Sequence, residues 1–377
     1  MNYQIKLTPI DAYFFGGEKH SINKKDPNKF EMDYYVQSEL YPQQTTLLGV
    51  LRYYLLMKNN LLSPAKNNKT KEANELIGKN SFIYGFMDEE GKTVQDFGVI
   101  NEISPLYFLK EGEKYIIAPF DKDFELKVLY DNYYLEGYDA KVGYNPTLIN
   151  VKGNSTFKFF KDENNENDTE FVFIKHETVG NKKGEKGKSE DDGFYKQVMY
   201  KLNKGWSFAF DVKIGIEPKT DEIQSKEDES QSIDFKKDIA LEDDKQFLTV
   251  GAEQQLFAFE IANCGDNISI LELNLKPRLK HAIYCISDCF VSEEIWNYTL
   301  FSINENVSFR NLQSSNSSKN YSSFSKGYKR GDRYNLLKRG SVLYFDNLDQ
   351  MQKAKELFDN KNAQKVGFNK IQEIYKQ

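Results

Sequence analysis

Residues 41–56, YPQQTTLLGVLRYYLL, constrain the fold more than any other stretch of the chain. Pro42 fixes its own φ and holds Tyr41 in extended geometry, so a helix has to begin after it. Thr45 or Thr46 then offers a hydroxyl to the free N–H groups of a helix start. Leu47, Val50, Leu51, Tyr54 and Leu55 recur at helical spacing and mark one apolar face. Gly49 costs about 1 kcal/mol against alanine in a helix, which points to close approach of another backbone. Arg52 flanks the apolar face, where its guanidinium reaches solvent or a phosphate. On pattern alone the run is an ordinary amphipathic helix with a glycine contact.

Around this helix the apolar spacing is that of strands. Tyr3, Ile5 and Leu7 alternate with Gln4, Lys6 and Thr8, a half-buried strand. Gly16 and Gly17 predict a turn, and the polar residues 21–33 a loop. Residues 58–80 read as an exposed excursion. Strands are expected at 99–100 and 115–117. A looser region begins near Asn145. Residues 161–168, KDENNEND, read as a solvated hairpin tip or turn, and 171–174 as a strand. Residues 180–193 are mostly Gly, Lys and acid and predict a mobile loop. The clearest strand is 205–214, where Trp206, Phe208, Phe210, Val212 and Ile214 alternate with Ser207, Ala209, Asp211 and Lys213. Further strands are expected at 256–261, 268–273 and 341–345, while 278–291 fits either element type. A helix is expected over 348–358 with Leu348, Met351 and Phe358 inward, and 366–368 closes the ordered part.

This order, β-α-β-β and then mostly β with a late helix, predicts an α+β fold. It suits two ferredoxin-like (RRM-like) units with a β-hairpin thumb and long loop insertions. At 377 residues two domains are expected, an N-terminal one over 1–150 and a C-terminal one over 151–377. The second carries the hairpin at about 171–214 and an acidic insertion at 217–245. That insertion holds eleven acids and five lysines, so it accounts for the whole net charge of −6 and leaves room for basic patches elsewhere. No apolar run is long enough to span a bilayer, and MNYQIKLTPI lacks a secretory signal's apolar core, so a soluble cytoplasmic protein is expected. Three cysteines make no disulfide framework.

Catalytic signatures are sparse. Neither H-E-x-x-H nor G-x-S-x-G occurs. Residues 182–189, KKGEKGKS, end like a P-loop, but Lys182 stands where its first glycine turns the backbone toward phosphate, which excludes that site. His281, Cys285 and Cys289 fall four apart and, on a helix, would share a face, with Cys264 as a fourth zinc ligand. The alternative, small apolar side chains in a core, is preferred because no CxxC pair accompanies them. His20 or His176 could serve as general base for RNA cleavage, or stand as an ordinary surface histidine. No catalytic residue, metal or cofactor is therefore assigned.

Two segments mix cations with glycine and aromatics. Residues 175–188 hold Lys175, Lys182, Lys183, Lys186 and Lys188 beside His176, against Glu177 and Glu185. Residues 319–339 hold Lys319, Lys326, Lys329, Arg330, Arg333, Lys338 and Arg339 against Asp332 alone, with Tyr321, Phe324, Tyr328 and Tyr334 interleaved. Cations neutralise phosphates and aromatic rings stack on unpaired bases, so this mixture suits single-stranded nucleic acid. The bland alternative is a flexible, solvated loop.

The N-terminal strand, the FFGGE turn at 14–18 and PQQTTLLGVLR at 42–52 resemble the opening of the RAMP superfamily of CRISPR effector subunits. Within it the chain is most similar to the subunit that binds the crRNA 5′ handle in type III-B (Cmr) complexes. Residues 175–214 resemble the family hairpin, and VGAE at 250–253 its Gly-Gly-Glu-like turn, with Ala252 replacing the second glycine. KRGSV at 338–342 and VGFN at 366–369 resemble its late strand and terminal glycine turn.

The resemblance implies two ferredoxin-like modules cradling the crRNA handle, with no catalysis by this subunit. Gln43, Thr45 and Thr46 would hydrogen-bond phosphate or ribose, and Arg52 would pair with phosphate. Lys175, His176 and the tip with Lys182, Lys183, Lys186 and Lys188 would lie along the guide as a thumb. Tyr328, Lys329, Arg330, Arg333, Lys338 and Arg339 would grip the handle. The implied protein partners are the large polymerase-like subunit and the backbone RAMP subunits, with target RNA met indirectly and no membrane. The acidic insertion has no counterpart in this scheme. The rival readings are a crRNA-processing endoribonuclease of the same superfamily, a purely structural subunit and a small-molecule enzyme.

Overall fold

The computed structural model describes all residues except 17–19, 24–31, 63–69, 79–95, 130–131, 140–142, 145, 163–169, 184–188, 216–243, 252–253, 266–270, 275–280, 315–327 and 376–377. The chain opens with β1 (Asn2–Pro9), β2 (Phe15–Gly16), β3 (His20–Asn23), β4 (Met32–Glu39), α1 (Gln44–Lys58) and α2 (Lys71–Ile77). Short strands follow: β5 (Ile100–Ile103), β6 (Tyr107–Lys110), β7 (Glu113–Ile117), β8 (Glu125–Leu129), β9 (Asn132–Glu136), β10 (Thr147–Asn150) and β11 (Thr156–Lys158). Then come β12 (Phe173–Lys183), β13 (Ser189–Leu202), β14 (Trp206–Ile214), β15 (Asp244–Val250), β16 (Gln255–Gly265) and β17 (His281–Cys285). The chain ends with α3 (Ile295–Tyr298), β18 (Phe301–Ile303), β19 (Asn306–Ser314), β20 (Tyr328–Leu337), β21 (Val342–Phe345), α4 (Leu348–Glu356), α5 (Lys361–Lys365) and β22 (Ile371–Tyr375).

The fold is α+β and mostly antiparallel. Its main sheet runs β11-β10-β7-β6-β14-β1-β16-β15, with β5 also on β14. Inside it, β16, β1, β14 and β6 stand side by side and antiparallel, which is the order 4-1-3-2 for β1, β6, β14 and β16 taken in sequence. The four-stranded sheet, β22-β17-β21-β18, repeats the same order with β17, β18, β21 and β22. There α3 separates β17 from β18, and α4 and α5 separate β21 from β22. The hairpin β19–β20 is inserted between β18 and β21 and forms a sheet of its own.

A boundary at 150 does not survive this topology. β14, β15 and β16 lie beyond it in sequence but share a ladder with β1, so the first unit extends past Ile214 into β16. The physical reason is that β1 needs partners on both edges, and both come from late in the chain.

The helix after Pro42 forms as its apolar spacing predicts. It buries Leu47, Leu48, Val50, Leu51, Tyr54 and Leu55, and Tyr54 stacks on Phe259 of β16 at 4.5 Å. Gly49, however, faces open space rather than a second backbone. β14 is buried on both faces apart from Lys213; on the face away from the large apolar residues, Thr8 meets Ser207, and Tyr107 and Lys114 cover Asp211.

Several stretches expected to be loops contribute strands or a helix among the described residues. Residues 21–33 contribute to β3 and β4, whose polar side chains hide the pattern. Residues 58–80 contain α2, capped by Thr70 and burying Ala73, Leu76 and Ile77. The glycine-rich residues 180–193 are largely the far end of the β12–β13 hairpin, in register from Phe173 opposite Leu202 to Asn181 opposite Phe194. β13 also pairs parallel with β4, which holds it from the other side. Residues 311–340 include most of the β19–β20 ladder. The chain does not end its order at 368, since β22 pairs with β17. Leu348 is exposed, while Met351 and Phe358 are buried as expected. The acidic insertion lies almost wholly outside the described residues, as does the first half of the strand expected at 268–273. The described residues 271–274 form no strand.

Candidate nucleic-acid interface

The start of α1 is the centre of the site. Gln43, not a threonine, is the N-cap, with its φ of −68° and ψ of 156° in the extended region. Its carbonyl accepts the Thr46 N–H at 2.9 Å, but its side chain caps nothing. The first turn holds no acidic residue. The N-cap side chain and the first turn of this 15-residue helix thus supply no negative charge to its positive end, and half-buried Gln43, Thr45 and Thr46 surround it.

Gln44, which sequence reasoning passed over, fixes where that helix end points. Its side chain is fully buried. Nε2 donates to the Ser104 carbonyl at 3.0 Å and the Val366 carbonyl at 2.8 Å, and Oε1 accepts the Leu106 N–H at 3.0 Å. One amide thus joins α1 to the first sheet and to the second unit. Gly367 leaves room for it: a Cβ there would stand 2.0 Å from Gln44 Nε2, and φ is +89°.

The KRGSV segment packs beside the same helix start. Arg339 is 1% exposed. Its backbone N–H and Nη2 each reach Asp288 at 2.9 Å, its Nε reaches Asp288 Oδ1 at 3.3 Å, and its guanidinium carbon lies 4.7 Å from the Tyr41 ring centroid. Asn369 of VGFN bonds the Phe290 backbone through both amide atoms and donates its N–H to the Asp288 carbonyl at 3.2 Å. Gly340 has φ of +99°, and its carbonyl accepts the Phe120 N–H at 2.8 Å. The structure therefore brings together three motifs that lie far apart in sequence, at the seam between the two units. Similarly, Gly251 of VGAE packs on Phe14 and Phe15 of FFGGE.

This placement corrects two assignments. Arg339 is a buried ion-pair partner of Asp288 and not an open cation for RNA. Arg52 also works inside the fold: Nε donates to the Ile77 carbonyl at 3.0 Å, the group lies 5.7 Å from the Phe97 ring, and burial lowers its pKa to about 10 despite nearby Asp96. Lys338 is half-buried and pairs with Glu305 at 2.6 Å.

The two hairpins carry the remaining candidates. On β12, Lys175 and His176 are exposed. Lys175 and Lys196 hold Glu177 at 2.6 and 2.7 Å, and those bonds lower its pKa to about 2. Lys182 and Lys183 end β12, without described side chains, and Lys186 and Lys188 lie outside the described residues. The β19–β20 stem is seated by Phe309, Leu336 and Leu337, with Phe309 edge-on to Phe290 at 5.3 Å. Arg333 points outward and its Nε donates to Ser308 at 2.9 Å. Tyr328, Lys329 and Arg330 follow on β20, where only the backbone is described. A β-ladder on an apolar stem, with exposed Arg333 and with Lys329 and Arg330 in the sequence of its second strand, is suited to tracking a phosphate chain.

His281 and Cys285 lie on a strand, where they point to the same face but stand about 13 Å apart, too far to hold one metal ion. Cys285 and Cys289 are buried in the second unit's core. Among the described residues no group of three or more His, Cys, Asp or Glu can hold a metal ion, and no helix is long and apolar enough to cross a membrane.

Residues 157–374, more than half of the chain, match the family described as CRISPR-associated protein (Cas_Cmr3). Among solved structures, a chain of a cryo-EM structure of the Type III-B Cmr-beta bound to cognate target RNA is similar, with a TM-score of 0.51 at 11% identity. The match covers 98% of this chain and 96% of that one. A chain of the same assembly bound to target RNA and AMPPnP gives 0.47 at 11% identity, with the same coverage. No curated protein matches.

Proposed function

Because the chain belongs to the CRISPR-associated Cas_Cmr3 family and is a Cmr-type CRISPR effector subunit, we propose that it holds the 5′ handle of the crRNA in a type III-B complex and does not cleave it. The observation that carries this reading is the uncapped α1 start at the seam of two sheets of 4-1-3-2 order. That order is the ferredoxin-like one, so both units are read as ferredoxin-like modules. A phosphate at the helix start would meet backbone N–H groups, Gln43, Thr45 and Thr46. From there the guide would pass the β12–β13 thumb with Lys175, His176 and its lysine tip on one side. On the other side it would pass β20 with Tyr328, Lys329, Arg330 and Arg333. The subunit would dock the large polymerase-like subunit onto the backbone RAMP subunits.

The test is binding of the purified chain to a labelled handle RNA and to a scrambled RNA across a salt series. The reading expects tighter binding to the handle. Replacing Arg330 and Arg333 with alanine should flatten the log–log salt slope by about 1.4, or about 0.7 per lost single-strand phosphate contact. Equal binding to both RNAs, with an unchanged slope, contradicts it. In the same samples, cleavage of repeat RNA that disappears with His20→Ala and His176→Ala would establish the endoribonuclease instead.

A further inference from the structure

The main sheet ends in an edge that is built for a partner. β15 pairs only with β16, so one side of its backbone is unpaired among the described residues. On the sheet face away from α1, three large apolar side chains cluster at this edge: Phe247 is 61% exposed, Ile10 53% and Leu256 47%. Their adjacency follows from the register. Phe247 stands opposite Ala258, and Leu256 is two residues from Ala258 on the same face, a diagonal neighbour at about 7–8 Å. The Ile10 N–H donates to the Leu256 carbonyl at 3.1 Å, which sets Ile10 beside it. Ala258 leaves a shallow floor between them.

The rim of this patch is nearly neutral but not balanced. Lys245, on the same face as Phe247, reaches Glu260 at 3.2 Å, and Lys6 reaches the same Glu260 oxygen at 3.5 Å. Two ammonium groups share one carboxylate. Lys201 and Asp11 form a balanced pair nearby. A polyanion gains little here, because most of the charge is already paired and the exposed area is apolar. A protein strand gains more: it completes the β15 ladder, covers Phe247 and supplies the missing negative charge. On the opposite face of β15 the Gln246 side-chain Nε2 is buried with no hydrogen-bond partner among the described residues, a second sign that this edge is unfinished. Exposed apolar edge strands are a hazard for a free protein and are normally covered.

We propose that β15 is the docking edge for a neighbouring protein subunit. That subunit would add an extended strand there, with an apolar side chain opposite Phe247 and an acidic one opposite Lys245. This rests on the reading of the chain as a subunit of a Cmr-type effector.

The experiment co-expresses the chain with the other subunits of its effector and a crRNA, and purifies the assembly through a tag on the largest subunit. The variants are Phe247→Glu, Leu256→Ser and Lys245→Glu, all at exposed positions. The thermal melt and handle-RNA binding of each free variant are measured alongside. The proposal expects recovery in the assembly to fall about tenfold or more for Phe247→Glu, with a smaller loss for each of the others, and melting and RNA binding unchanged. Assembly of all three variants at the wild-type level overturns it. A wild-type chain that joins no assembly overturns the effector reading itself, and the docking edge with it. Sedimentation of the free chain covers the remaining occupant: a dimer abolished by Phe247→Glu would make this face a contact between two copies and overturn the heterologous partner.

Discussion

Replacing Asp288 with alanine tests whether Arg339 belongs to the seam or to the RNA. Asp288 is 7% exposed and Arg339 1%. The carboxylate accepts three bonds from Arg339, two at 2.9 Å and one at 3.3 Å, and the ring of Tyr41 covers the guanidinium. Removing the carboxylate leaves a buried guanidinium without its counter-charge, at a cost of about 3–5 kcal/mol. A protein of ordinary stability has about 5–15 kcal/mol in total, so the urea midpoint should move by a large fraction of its value. The double variant Asp288→Leu with Arg339→Met removes both charges and should recover most of that loss, giving a coupling energy of at least about 2 kcal/mol. The reasoning is refuted if Asp288→Ala costs less than about 1 kcal/mol while Arg339→Ala lowers the salt slope of RNA binding by about 0.7, since Arg339 would then be a free cation contacting phosphate.

Other consequences follow from the same seam and from the thumb. Gly367→Ala should destabilise the protein by at least about 2 kcal/mol in urea unfolding, because the new Cβ meets the Gln44 amide and the Ser104 carbonyl at a positive φ. Gln44→Ala should cost about 2–4 kcal/mol by the same assay, since it orphans the Ser104 and Val366 carbonyls and the Leu106 N–H. Glu177 has its pKa lowered by Lys175 and Lys196, from 4.5 to about 2. Its contribution to the hairpin is therefore present above pH 4.5 and lost as pH falls toward 2. Amide protection in β12 and β13, taken relative to the intrinsic exchange rate at each pH, should fall across that window, and Glu177→Gln should remove that pH-dependent change in protection.

The sequence showed its local features well and its long-range ones poorly. α1 and β14 were legible because large apolar residues repeat at 3.6 and at 2, as in Leu47, Val50 and Leu51 or in Trp206, Phe208 and Phe210. The burial of Ser207, Ala209 and Asp211 was not, because it depends on side chains that neighbouring strands place on the same face, such as Thr8 against Ser207 and Tyr107 and Lys114 against Asp211. Only the first two residues of β4 fell in a segment read as a loop and the rest had no assignment, while the far half of the thumb read as a loop, since MDYYVQSE and the segment from Gly180 to Gly193 lack a clean alternation. Their ladders are set instead by the parallel pairing of Tyr34–Gln37 with Tyr195–Val198. For the site, the helix start, KRGSV and VGFN were visible as separate motifs. Their meeting was not: the Gln44–Val366 bond spans 322 positions, and Asp288 carries no local signal of its role. Arg339 was misread for that reason, as composition counts a cation without seeing its buried partner.

The most direct measurement is crosslinking within the assembled complex, using a crRNA with 4-thiouridine placed singly along its 5′ handle. Tryptic mapping should find adducts on this chain within residues 41–46, within the β12–β13 thumb and on β20. Handle crosslinks confined to other subunits, with this chain unmodified at every position, would contradict the handle grip.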